Sequence, residues 1–121
     1  MNKVINFHLP ADDVERAAAF YKKVFGWEFA PFPNSPIPYF TIEAEAAGGG
    51  GAGIPVAITS RQEIVKVPVP TIEVEHIDQA MTDIAVSGGQ QGRVSDLPGL
   101  GRFGYAIDSE GNVIALLQRV V

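Results

Sequence analysis

The stretch Val4-Ile5-Asn6-Phe7-His8-Leu9, followed by Pro10-Ala11-Asp12 and a helical run ending at Gly26, decides the fold because the chain says it twice. Val4 to Leu9 alternates as a strand does, with Ile5, Phe7 and Leu9 on one side and Val4, Asn6 and His8 on the other. Asp12 is placed to cap the helix, with Glu15 three residues later as its capping-box partner. Val14, Ala17, Ala18, Tyr21, Val24 and Phe25 then form an apolar stripe at helical spacing. Three more strand-like runs follow. Near Val67 the pattern restarts with a strand through Val74, a helix from Ile77 to Val86 and a stop at Gly88-Gly89. Sliding one half on the other aligns Asn6 with Val69, Tyr21 with Ile84 and Gly26 with Gly88-Gly89. The halves also end alike, since Gly53-Ile54-Pro55-Val56-Ala57-Ile58 echoes Gly111-Asn112-Val113-Ile114-Ala115-Leu116. Such a repeat is a duplicated supersecondary module, with module one at about residues 1–62 and module two at about 63–121.

The chain has 121 residues, which suits one domain and is too short for two independent cores. Apolar residues make up 46% and charged residues 19%, an ordinary globular balance. A net charge of −5 with scattered Lys and Arg argues against nucleic acid, whose phosphates need clustered basic residues. Without cysteine there is no disulfide, thiolate metal site or thiol nucleophile. The charge-free stretch from Ala30 to Ile42 contains four prolines, so no membrane span is expected, and no secretory leader is read at the start. A cytoplasmic protein is the expectation.

In module two, Pro70, Ile72 and Val74 take the helix side of the strand, leaving Val69, Thr71 and Glu73 on the other. A face shared by Asn6 and His8 in one module, and by Thr71 and Glu73 in the other, reads as a moderately polar pocket wall. Tyr39 and Tyr105 lie on corresponding strands, where each either fills sheet surface or both stacks on and hydrogen-bonds a ligand. Trp27 to Phe32 reads as a strand, and Trp27 as a packing residue at a module edge or dimer interface. The run Gly48 to Gly53 is read as a flexible hairpin connection, because no Lys-Ser/Thr and no helix follow it as a phosphate loop requires. His76 reads as a surface residue where helix two begins. Arg102 and Arg119 stand near the closing hairpin, where they would attract an anion or simply face solvent.

The run from Asn6 through Tyr21 with Phe25-Gly26-Trp27 resembles the opening of the vicinal oxygen chelate superfamily, which includes glyoxalase I, bleomycin-resistance proteins and extradiol dioxygenases. Phe103-Gly104-Tyr105-Ala106-Ile107-Asp108-Ser109-Glu110-Gly111-Asn112-Val113 resembles that family's closing hairpin. The resemblance implies an α+β fold of two βαβββ modules, forming a U-shaped mixed sheet around a cleft that a second subunit often completes. Metal-dependent members place ligands on the first and last strand of each module; by position these fall at Asn6, about Ala57, Val69 and Ala115. One amide and three aliphatic side chains cannot hold a divalent ion, so no metal or other cofactor is expected. A relocated triad of His8, Glu43 and Glu73 is the chemically plausible substitute, although His8 lies almost 7 Å along its strand from the carried-over position at Asn6.

The expected function is metal-free binding of a small molecule, in a homodimer, by Asn6, His8, Tyr39, Thr71, Glu73 and Tyr105. The alternative is a lyase, isomerase or dioxygenase of the same superfamily that uses a non-standard metal site or acid–base chemistry through His8 and Glu73. A third reading is an accessory protein with a vestigial cleft. Serine nucleophile chemistry finds no Gly-x-Ser-x-Gly elbow.

Overall fold

The computed structural model describes residues 1–31, 39–42 and 54–120. The elements run β1 (Lys3–Ala11), α1 (Val14–Phe25), β2 (Phe29–Pro31), β3 (Tyr39–Ile42), β4 (Val56–Ser60), β5 (Val69–Glu73), α2 (Ile77–Val86), β6 (Val94–Leu97), β7 (Gly101–Ile107) and β8 (Val113–Arg119). The fold is α+β and each module is βαβββ, as the repeat implies. Residues divide into two compact units, Asn6–Pro68 and Met1–Ile5 with Val69–Val121. The strand β1 contributes to both, its first residues joining the second unit, where the Asn2 N–H donates to the Glu73 carbonyl at 2.6 Å. The strands are hydrogen-bonded in the order β2-β3-β4-β1-β5-β8-β7-β6. Each module therefore pairs its first strand in parallel with its last, β1 with β4 and β5 with β8, and adds the other two antiparallel.

Within the first unit, α1 packs through Val14 on Ala11 and Ile58, with Ala17, Ala18, Tyr21, Phe29 and Phe40 around them. Leu9 lies opposite Ile58 in the parallel pair and so shares the helix-covered face, while His8 lies opposite Ala57 and shares the other. The side-chain parity read from the sequence holds. One detail of the helix start is corrected. The strand β1 runs on through Pro10 and Ala11, and the cap is Asp13 rather than Asp12: Asp13 Oδ1 accepts from the Arg16 N–H at 3.0 Å. Asp12 is engaged elsewhere, accepting from Arg61 Nε at 2.9 Å. Gly26 closes α1 at φ +76°, the left-handed conformation that glycine adopts without strain, and its N–H donates to the Lys22 carbonyl.

In the second unit Val74, Ile77, Met81, Ala106 and Leu116 form the core, joined by Ile72, Ala80, Ile84, Val94 and Ile114. The N-terminus of α2 is capped from a distance. His76 holds the cap position but contributes no side-chain bond, and the Ile77 N–H instead donates to Gln118 Oε1 on β8 at 2.8 Å. Arg102 on β7 reinforces this end by pairing with Asp78 at 2.8 Å, and its Nε stands 3.3 Å from Asp96. The sequence reading allowed Arg102 an anion-attracting role; the guanidinium is occupied by two carboxylates of its own chain. The strand expected from Trp27 to Phe32 starts at Phe29 and is described as Phe29–Pro31, Phe32 lying outside the described residues, and Trp27 stacks on Tyr21 at 5.2 Å and 6° instead of entering the ladder. The glycine run from Gly48 to Gly53 lies outside the described residues.

Candidate functional site

On each module the face turned away from the helix carries the candidate residues, and the two faces are built on one plan. In module one it holds Asn6 and His8 of β1, Ala57 and Thr59 of β4 and Thr41 of β3, since His8 is opposite Ala57 and Thr41 is opposite Ala57 on its other side. In module two the same places are taken by Thr71, Ala115, Leu117 and Tyr105: Thr71 is opposite Ala115, and Tyr105 is opposite Ala115 on its other side. Tyr39 and Tyr105 are on corresponding strands as expected but not at corresponding places. Tyr39 pairs with Thr59, which makes Phe103, the partner of Leu117, its counterpart.

His8 is the most unusual group. It is 3% exposed, and burial lowers its pKa to about 4, so the imidazole is neutral through the physiological range. Two positions earlier on the same face, Asn6 has a buried Oδ1 with no hydrogen-bond partner among the described residues. Buried polar atoms are nearly always partnered, so an orphaned amide oxygen is informative. Thr59 completes this polar surface at 1% exposure.

In module two Thr71 is equally buried, at 1%. Glu73 is mostly covered and forms an ion pair with Arg119, Nε to Oε2 at 2.6 Å. The sequence reading did not foresee that partner, although a signal existed. Arg61 and Arg119 stand at the same offset after the alanine of each module's last strand, and each is tied to a carboxylate, Asp12 or Glu73. Tyr105 is half-buried, which raises its pKa and keeps the phenol protonated, and its ring meets Phe103 edge-on at 5.1 Å. His76 is a surface residue, three-quarters exposed, beside Glu75.

The positions at which metal-dependent relatives of this architecture carry ligands do not fit a cation. Ala57, Val69 and Ala115 are aliphatic and at most 1% exposed, which leaves the Asn6 amide as the one donor of the set. Among the described residues no three His, Asp or Glu side chains gather to hold a metal. Glu43, the third member of the substitute triad, lies outside the described residues, as does the side chain of Tyr39. Among the described residues no helix is long and apolar enough to cross a membrane.

Paired βαβββ modules, with first and last strands parallel in each, define the vicinal oxygen chelate fold. Residues 3–37 match the family described as bleomycin resistance protein-like N-terminal. A glyoxylase-like domain-containing protein of Didymella fabae is 31% identical over 122 residues, covering 97% of this chain and 94% of that one. The chain belongs to this glyoxalase-like family. Among solved structures, a variant of Streptomyces coelicolor methylmalonyl-CoA epimerase in complex with 2-nitronate-propionyl-CoA has a TM-score of 0.67 at 15% identity, covering 100% of this chain and 99% of that one. A hypothetical protein from Bacillus halodurans C-125 has a TM-score of 0.69 at 9% identity, covering 98% and 95%. At these identities the likeness to the solved structures is one of fold.

Proposed function

We propose that the chain binds a small organic molecule without a metal, as a homodimer, and that the ligand offers a hydrogen-bond donor to Asn6. The observation that carries this reading is the buried, unpartnered Oδ1 of Asn6 on the face that also holds neutral His8. An acceptor withdrawn from water without a donor costs free energy, on the order of 1–3 kcal/mol, which a ligand N–H or O–H would recover. Thr71, Glu73 and Tyr105 form the matching surface of module two, and Tyr39 joins by its place on β3. The absence of a competent donor set at Asn6, Ala57, Val69 and Ala115 supports binding without a cation.

The second reading, an isomerase in the manner of the epimerases with this fold, draws support from the fold alone. Acid–base work through His8 is disfavoured by its ionisation. A general base is most effective with a pKa near the working pH, and a group held at about 4 accepts protons weakly at neutrality.

Native mass spectrometry of untagged protein, with elemental analysis of the same sample, tests the proposal. A metal-free protein carrying a small-molecule mass, absent from the Asn6→Leu variant, is the expected result. Stoichiometric zinc, nickel, manganese or iron would overturn it and direct attention to His8, Glu43 and Glu73.

A further inference from the structure

The outer side of α1 carries an apolar stripe between its exposed charges Glu15, Arg16, Lys22 and Lys23. Phe20 and Val24 are four residues apart on one stripe and are 57% and 55% exposed. Beside that stripe lies a groove of about 370 Å³ whose apolar wall is Pro10, Ala17, Phe20 and Tyr21. Its rim carries two carboxylates and two guanidinium groups, Asp12 and Asp13 against Arg16 and Arg61. The Phe20 ring is braced edge-on against Tyr21 at 5.2 Å and 89°. An aromatic ring that is already positioned loses little freedom when it docks.

We infer that this face is where two copies of the chain meet, with the Phe20 ring of each copy seated in the groove of the other. The inference rests on the homodimer reading above and names its surface. A twofold axis lays a surface on itself, so the surface must be its own complement in shape and in charge. One projecting ring beside one apolar groove meets the first condition. A rim with both signs in equal number meets the second, whereas a rim of one sign would repel its copy. Asp12 is already held by Arg61, while the Arg16 guanidinium has no ion-pair partner among the described residues and is available to Asp13 of the second copy.

Sedimentation velocity over a wide concentration range tests this in the full chain, comparing the wild type with Phe20→Glu and with Val86→Glu. Val86 is an exposed valine on α2, 77% exposed, and serves as the control for adding a carboxylate to an apolar surface residue. The expected result is a wild-type dimer, an unchanged Val86→Glu dimer, and a dissociation constant raised roughly thirtyfold or more in Phe20→Glu, the scale of a central anchor. Far-UV circular dichroism of Phe20→Glu should match the wild type, because the ring is exposed in the single chain. A dimer that survives Phe20→Glu overturns the assigned surface and leaves the homodimer reading standing. A wild-type monomer overturns both. A wild-type monomer that co-sediments with phosphatidylserine vesicles, and loses this in Phe20→Glu, assigns the face to a membrane and equally overturns the proposal.

Discussion

His8 of β1 and Thr71 of β5 hold the same place in their modules: each lies opposite an alanine of the module's last strand, Ala57 or Ala115, in a parallel pair. Both are polar and both are buried. The duplicated architecture thus keeps a polar side chain at this position while changing an imidazole for a hydroxyl. The two modules present related surfaces with different chemistry.

The buried imidazole makes the fold sensitive to acid. His8 has a folded pKa of about 4, below its ordinary value of 6.5, so between those values the unfolded chain binds a proton that the folded chain does not. Its contribution is complete above about pH 6.5 and is lost as pH falls toward 4, with a total on the order of 3 kcal/mol. Urea unfolding at about pH 7.5 and about pH 4.5 measures the difference. In His8→Gln the loss across this interval should shrink by a large part of that amount; an identical loss in the variant would show that other groups are responsible.

Gln118 caps a helix that its own sequence leaves uncapped. Gln118→Ala should destabilise the protein by about 1 kcal/mol, the usual scale of a lost cap. Adding His76→Ser to that variant should restore much of the loss by supplying a local cap. Chemical denaturation of the wild type, the single variant and the double variant decides it. No recovery in the double variant would mean that Gln118 acts through packing alone.

The pair of Glu73 and Arg119 joins a mostly covered carboxylate to a half-exposed guanidinium. Its coupling should be modest, about 1 kcal/mol in a double-mutant cycle of Glu73→Gln and Arg119→Met, because solvent screens the arginine. Raising the salt to about 1 M should reduce the coupling. A coupling of zero would make the pair a crystal-like surface contact without energetic content.

Gly101 opens β7 at φ +145°, and a Cβ there would fall on the Gln118 carbonyl oxygen of the neighbouring strand. Gly101→Ala should therefore destabilise the fold by more than about 2 kcal/mol, since both the backbone angle and the clash oppose it. A thermal melt within a degree or two of the wild type would refute the assigned conformation.

Much of this architecture was legible because strands and helices announce their faces by period. The alternation of Ile5, Phe7 and Leu9 against Asn6 and His8 located the chemical face of β1, and the repeat carried that assignment to Thr71 and Glu73. Features that join distant parts of the chain were less accessible. Asp12 reads as the cap because Glu15 follows at the capping-box spacing, yet in the structure Arg61 engages Asp12 across 49 residues and Asp13 caps the helix. Gln118 reads as an ordinary strand residue until the ladder places it beside the start of α2. The register of β3 against β4 also decides that Tyr39 matches Phe103, which equal spacing of aromatic residues could not show. Local propensity encodes elements; partnership between elements is set by the pairing of strands.

The parallel closure of each module also has a consequence for synthesis. A ribosome releases β1 early, yet the neighbour that flanks it within its module, β4, emerges only after α1 and two further strands. The same delay recurs between β5 and β8. Until β4 arrives β1 waits with both edges uncovered and β3 with one, whereas in the second module β5 and β7 each wait with one edge open for β8. The nascent chain is thus most exposed to misassociation just before β4 arrives, and chaperone demand should peak there rather than in the completed protein.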